Sequence, residues 1–211
     1  MAVEAPQILM KDVWVPEEYK AWNPRTPLGF SVLKALGHLP MDLREELLDR
    51  IKSIVVVHSR LSLQVIRKDG FIEDYGVVSD KVVTTVGVNF IVDAFQNIVE
   101  LENMKFHAIG TGSTAEAVGD TALVTELTTE YNPNSTRATG STTENGANVY
   151  RTVGTNTLDG TPGAALREHG IFDNATVGSG VLLDRSVYGA ITLSSGDSLQ
   201  STYDLTLTSG G

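Results

Sequence analysis

Four histidines, His38, His58, His107 and His169, are the side chains best suited to proton transfer or metal ligation near neutral pH. None stands in a His-x-His or His-x-x-x-His spacing, so no strand or helix face offers two imidazoles to one ion. Glu168-His169 is the one adjacent acid–histidine pair. A histidine beside a glutamate reads as a hydrogen-bonded structural residue rather than a base. His107 and His169 could meet in the fold, which spacing alone does not decide. A serine nucleophile needs a strained elbow, and no Gly-x-Ser-x-Gly occurs. Carboxylate pairs exist at Glu116/Asp120 and Glu126/Glu130, but the latter flank a predicted strand and are expected to face solvent. No Asp-x-Asp-x-Asp calcium string is present. Gly110-Thr111-Gly112 opens a glycine-rich loop running to Gly119-Asp120. It lacks the Gly-Lys-Ser/Thr of a phosphate loop and the third glycine of a dinucleotide fingerprint, so it reads as a tight turn leaving a strand. Asn134-Ser135-Thr136 and Asn174-Ala175-Thr176 match the glycosylation sequon but carry little weight without a secretion signal. These residues predict no catalytic group, no metal site and no cofactor, and the expectation is a protein that is not an enzyme.

Composition narrows the classes further. The 211 residues contain no cysteine, which excludes disulfide staples, thiol nucleophiles and Cys-ligated zinc or iron–sulfur clusters. Lys and Arg number 16 against 26 Asp and Glu, a formal net charge of −10, which argues against binding nucleic acid or an anionic membrane surface. No apolar run reaches the roughly 18 residues of a membrane span. The start, MAVEAPQILMKDVWV, has no basic segment followed by an apolar one, so a soluble protein made in a cytosol is expected.

The elements that must position these residues fall into zones. All seven lysines lie at or before Lys105, and from Phe106 onward four arginines face eleven acids, so the second half is acidic. Five of the seven prolines (Pro6, Pro16, Pro24, Pro27, Pro40) sit in the first forty residues, which prevents long helices or central strands there. That segment also holds Trp14, Tyr19, Trp22 and Phe30, rings that need burial. Residues 1–40 are therefore expected to be an extended arm whose four aromatic residues lie on a partner surface or wrap their own domain. Asp42-Leu43-Arg44-Glu45 resembles a capping box, and Leu43, Leu47, Ile51 and Ile54 share one face of the helix it starts. Leu61–Ile66 alternates as a strand, Lys68-Asp69-Gly70 reads as a hairpin turn, and Phe71–Val78 and Lys81–Val86 are candidate returning strands. Val88, Ile91, Val92, Phe95, Ile98 and Val99 predict a second amphipathic helix, of about 15 residues, packing one apolar face on a sheet. Beyond it, Lys105–Gly110, Ala122–Tyr131, Thr136–Thr143, Asn148–Asn156, Ala165–Asp173, Val181–Leu193 and Ser198–Thr208 are candidate strands separated by turn residues. The expected fold is mainly β, a β-sandwich or jelly-roll-like domain with an extended Pro/Trp-rich N-terminal arm and two amphipathic helices. Its expected divisions are 1–40, 41–104 and 105–211, the last two forming one unit.

The string Lys105-Phe106-His107-Ala108-Ile109-Gly110-Thr111-Gly112-Ser113-Thr114-Ala115-Glu116-Ala117-Val118-Gly119-Asp120-Thr121-Ala122-Leu123, followed by Glu126-Leu127, resembles virion structural proteins of tailed bacteriophages. Tyr150-Arg151-Thr152, Glu168-His169-Gly170-Ile171-Phe172, and Leu182-Leu183-Asp184-Arg185-Ser186 leading to Ser195-Gly196-Asp197-Ser198-Leu199 agree with it, as do the Asp69-Gly70 hairpin and Val83–Phe95. The resemblance covers about residues 60–211 and leaves the arm outside. It implies a module used repeatedly on the virion, without enzymatic activity and often homotrimeric: a capsid decoration (cement) protein, or a neck, tail or tail-fibre component. The partners it implies are other virion proteins, the major capsid protein or portal, neck and tail proteins. The chain carries no repetitive shaft, which favours decoration, with the arm as the docking element. Under the tail-fibre alternative, loops such as Asn132–Gly146 would contact host glycans.

Overall fold

The computed structural model describes residues 54–80, 82–128, 131–132, 135–160 and 163–210, which belong to one compact unit, Ile54–Gly211. The expected arm with Trp14, Tyr19, Trp22 and Phe30, and the helix expected from Asp42, lie outside the described residues.

Among the described residues, eleven strands form two antiparallel sheets. They are β1 (Ile54–Ile66), β2 (Ile72–Ser79), β3 (Val82–Val83), β4 (Phe106–Gly110), β5 (Tyr131–Asn132), β6 (Ala138–Thr139), β7 (Ser141–Glu144), β8 (Val149–Leu158), β9 (Ala164–Phe172), β10 (Leu182–Leu193) and β11 (Ser198–Gly210). One sheet runs β2-β1-β11-β8-β5, with β7 also paired to β8; the other runs β3-β10-β9-β4-β6. The first and last described strands are neighbours, joined from Ile54↔Gly210 to Ile66↔Ser198.

Period-two alternation sets the inner faces. On β1, Leu61, Leu63 and Val65 are fully buried; on β11, Leu199, Ser201, Tyr203 and Leu205 are buried while Gln200, Thr202, Asp204 and Thr206 are half-covered. Leu61, Leu63, Val65 and Leu199 meet Ile109, Leu166, Ile191 and Leu193 of the opposing sheet in one apolar cluster, while Tyr203 and Leu205 join a second with Phe90, Ile171 and Leu183. The β1–β2 hairpin turns at Gly70 with φ +89°, and the Asp69 carboxylate accepts from the Phe71 amide. β1 begins at Ile54, seven residues before the strand start read from Leu61, so Ile54 is a strand residue rather than part of a helical face.

The helix α1 spans Thr85–Phe95, with the Thr84 hydroxyl capping the Gly87 amide. It ends earlier than its apolar period suggests, because Asn97 adopts φ +57° and the Gln96 amide turns back to Asp93 and Ala94. Gly87 and Phe90 point inward, and Ile91 and Val99 of the predicted face pack against the same cluster, whereas Val88, Val92 and Phe95 of that face are exposed. Gly87 is required there because a Cβ would lie 2.7 Å from the Leu183 Cα. Ala122–Tyr131 is not a strand: only Glu126 makes an isolated bridge, to Gly110, before β5. Lys81–Val86 contributes only β3 before the helix begins.

Candidate functional site

The two histidines that sequence could not pair do meet. His107 on β4 and His169 on β9 face inward, with Nδ1 of His107 3.0 Å from Nε2 of His169. The other nitrogen of His107 lies 3.1 Å from the Thr152 hydroxyl on β8. Both rings are fully buried. Gly154 makes room, since a Cβ there would stand 2.5 Å from the His107 ring. Burial in this interior disfavours the imidazolium, pushing His107 down to about 3. Burial and then the neighbouring His107 ring hold His169 well below its ordinary value. On the adjoining strand, burial pushes the Asp184 carboxyl up to about 7, opposed by the nearby Ser59 and Ser186 hydroxyls. Ser186 donates to Asp184 Oδ1 at 3.0 Å. These groups are buried away from solvent, which favours the neutral form of each.

Glu168, the acid beside His169, points to the opposite face of the same sheet. Its Oε1 accepts from the amides of Gly112 (3.0 Å) and Thr125 (2.7 Å), and its Oε2 from the amide of Val124 (3.0 Å). Arg185 on β10 supplies Nε at 3.0 Å and Nη2 at 2.9 Å to the same Oε2. The guanidinium continues to the Asp120 carboxylate (2.9 Å) and the Thr114 carbonyl (2.9 Å). One buried ion pair thus clasps both limbs of the loop 111–127 onto the sheet, and Leu123 of that loop packs on Ala108, Phe172 and Leu182. The glycines at 110 and 112 serve this approach: a Cβ at Gly112 would stand 2.5 Å from Glu168 Oε1. A carboxylate with five donors and no exposed surface has no free lone pair for catalysis.

Glu126 is also not solvent-facing. Arg137 grips it with Nε–Oε1 at 2.7 Å and Nη2–Oε2 at 3.0 Å, and Nη1 donates to the carbonyls of Asn174 and Ser179. The guanidinium lies 3.5 Å over the Phe172 ring. Arg137, Arg185 and Asp184 were not singled out from sequence. A hint was there: of the four arginines in the acidic half, three bind carboxylates, Arg137 to Glu126, Arg151 to Asp204 and Arg185 to Glu168 and Asp120.

An open cleft of about 710 Å³ lies at the β7–β8 hairpin, lined by Thr142, Glu144, Asn148, Tyr150 and Leu207 among others. Its polar groups are partly engaged, Asn148 with the Leu207 carbonyl and Tyr150 with the Met104 carbonyl. Among the described residues, no group of three or more histidine, aspartate or glutamate side chains could hold a metal ion, and no helix is long and apolar enough to cross a membrane. The aromatic residues expected to bind a partner, Trp14, Tyr19, Trp22 and Phe30, lie outside the described residues. No protein-family model matches the chain, and no curated protein matches it.

Proposed function

We propose that this chain is a structural protein of a tailed-bacteriophage virion, a capsid decoration protein that docks on the head through residues 1–40 and stabilises it. In this reading Trp14, Tyr19, Trp22 and Phe30 fill grooves of the capsid lattice. A proline-rich segment loses less freedom on binding than a flexible one, and many copies multiply a modest affinity. The β unit is a jelly-roll-like body carried outside the shell, its acidity limiting adhesion to polyanions.

One observation carries the reading. The separate strings that resemble phage virion proteins are joined in one structural device: Gly112 from the first, Glu168 from the second and Arg185 from the third form one clasp. The two charged residues at the centre of the clasp, Glu168 and Arg185, are buried and paired with each other, as suits a durable body.

The second reading is a neck, tail or tail-fibre component that touches host glycans, favoured by the open cleft at Thr142–Tyr150, close to the loop expected to do so. Quantitative mass spectrometry of purified virions against the major capsid protein separates the two. Copies on the scale of the capsid lattice support decoration; a few dozen or fewer support the second reading; none in the particle overturns both.

A further inference from the structure

The helix α1 is apolar on both sides. Gly87 and Phe90 are buried against the β unit. On the opposite side Val88, Val92 and Phe95 are 42%, 49% and 82% exposed, and past the helix end Ile98 and Leu101 are 65% and 47% exposed. The only polar residues of the helix are Thr85, Asn89 and Asp93. These three lie four residues apart and form one polar stripe, and the exposed apolar stripe beside it is a larger bare apolar surface than a solvated helix normally leaves.

We propose that this stripe is a self-association surface, on which α1 packs antiparallel against α1 of a second copy around a two-fold axis near Val92. Three observations commit it to a second copy. Val88, Val92 and Phe95 follow a four–three spacing, the pattern of a helix–helix seam. The exposed side chains amount to about 500 Å² of apolar surface per copy, so a pair buries on the order of 1,000 Å², the threshold for a specific interface. The end charges are complementary only in the antiparallel sense. The helix has no acid in its first turn and no base in its last, while Glu100 and Glu102 stand exposed beyond its C-terminal end. An antiparallel mate brings these acids towards the partially positive N-terminus of the other helix; a parallel mate brings acids beside acids. The stripe itself carries no charge, so two acidic chains can meet there without like-charge contact.

The other exposed apolar element, the edge strand β2, is a poorer candidate. Gly76 at φ +60° and two register shifts distort it, and Glu73 and Asp74 charge it, devices that block edge pairing. The pairing of α1 rests on the exposed stripe alone, and a two-fold pair stands in place of the homotrimer that the resemblance implies.

The test uses the full chain and its lack of native cysteine. Light scattering with size-exclusion chromatography should give a mass twice that of one chain. Phe95→Glu should weaken the dimer by about 100-fold, as expected for a central aromatic, while its circular-dichroism melt stays that of the wild type. Val92→Lys is the second variant, should Phe95→Glu fail to fold. With a short bismaleimide, Val92→Cys should cross-link to a dimer and Val88→Cys should not, because only the central position meets its own mate. A monomeric or trimeric wild-type chain, a dimer that survives both charged variants, or equal cross-linking at 88 and 92 overturns the proposal.

Discussion

The Glu168 carboxylate and the Arg185 guanidinium meet at 2.9 Å with both side chains wholly inaccessible, and the loop 111–127 is wrapped around that contact. The pair neutralises two charges that would be prohibitive singly, and it satisfies three loop amides that no strand partner reaches. The loop should therefore come away from the sheet first when the pair is broken.

Arg185→Met leaves the Glu168 charge buried and uncompensated, and should cost about 3–5 kcal/mol in urea unfolding. Glu168→Gln combined with Arg185→Met should lose less than the sum of the two single changes. Limited proteolysis of Arg185→Met should cut first within residues 111–127. Strict additivity in the double variant would contradict a coupled clasp.

Gly112 has no room for a side chain, since a Cβ would stand 2.5 Å from Glu168 Oε1 and 2.9 Å from the Val124 Cβ. Gly112→Ala should destabilise by about 1–3 kcal/mol through overpacking. Gly119→Ala, with nothing within 4 Å of its Cβ, is the control and should be close to neutral. Equal melting temperatures for the two variants would contradict the close approach.

Stability should peak between about pH 6 and 7. The folded His107 is depressed from 6.5 to about 3 and His169 lies well below 6.5, so each takes up a proton on unfolding in that window. Their contribution is present above pH 6.5 and lost as pH falls. Asp184 is raised from 3.8 to about 7, so unfolding releases a proton between those values and its contribution fades as pH rises towards 7. Two protons against one leave a net loss of about 1.4 kcal/mol per pH unit on the acid side below pH 6. Asp184→Asn should double that acid slope and remove the fall between pH 6.5 and 7. Chemical denaturation from pH 4 to 8 measures both, and an unchanged slope in the variant would contradict a protonated Asp184 in the core.

The alternation of Leu61, Leu63 and Val65, and of Tyr203, Leu205 and Leu207, made the strands legible, because a strand with one buried face repeats every second residue. The Asp69-Gly70 turn was legible for its positive φ. The face of α1 was not. Residues 86–95 are apolar nearly all round, so periodicity cannot choose which side faces the core; the close approach of Gly87 to Leu183 decides it. Ala122–Tyr131 has the threonines and leucines of a strand, yet its amides at 124 and 125 bond to a glutamate side chain instead of a neighbouring strand. The clasp was hidden for a related reason. Its partners are 17 to 71 residues apart, and nothing in local spacing pairs Arg185 with Glu168 or with the Thr114 carbonyl.

The central claim is that the chain decorates a capsid through its N-terminal aromatic residues. The most direct measurement is co-sedimentation of the full chain with capsids of its phage that lack it, comparing wild type with Trp14→Ala, Tyr19→Ala, Trp22→Ala and Phe30→Ala combined. The wild type should bind saturably and the variant should not, with the melting of the β unit unchanged. A variant that saturates the same capsids with the same affinity would contradict it.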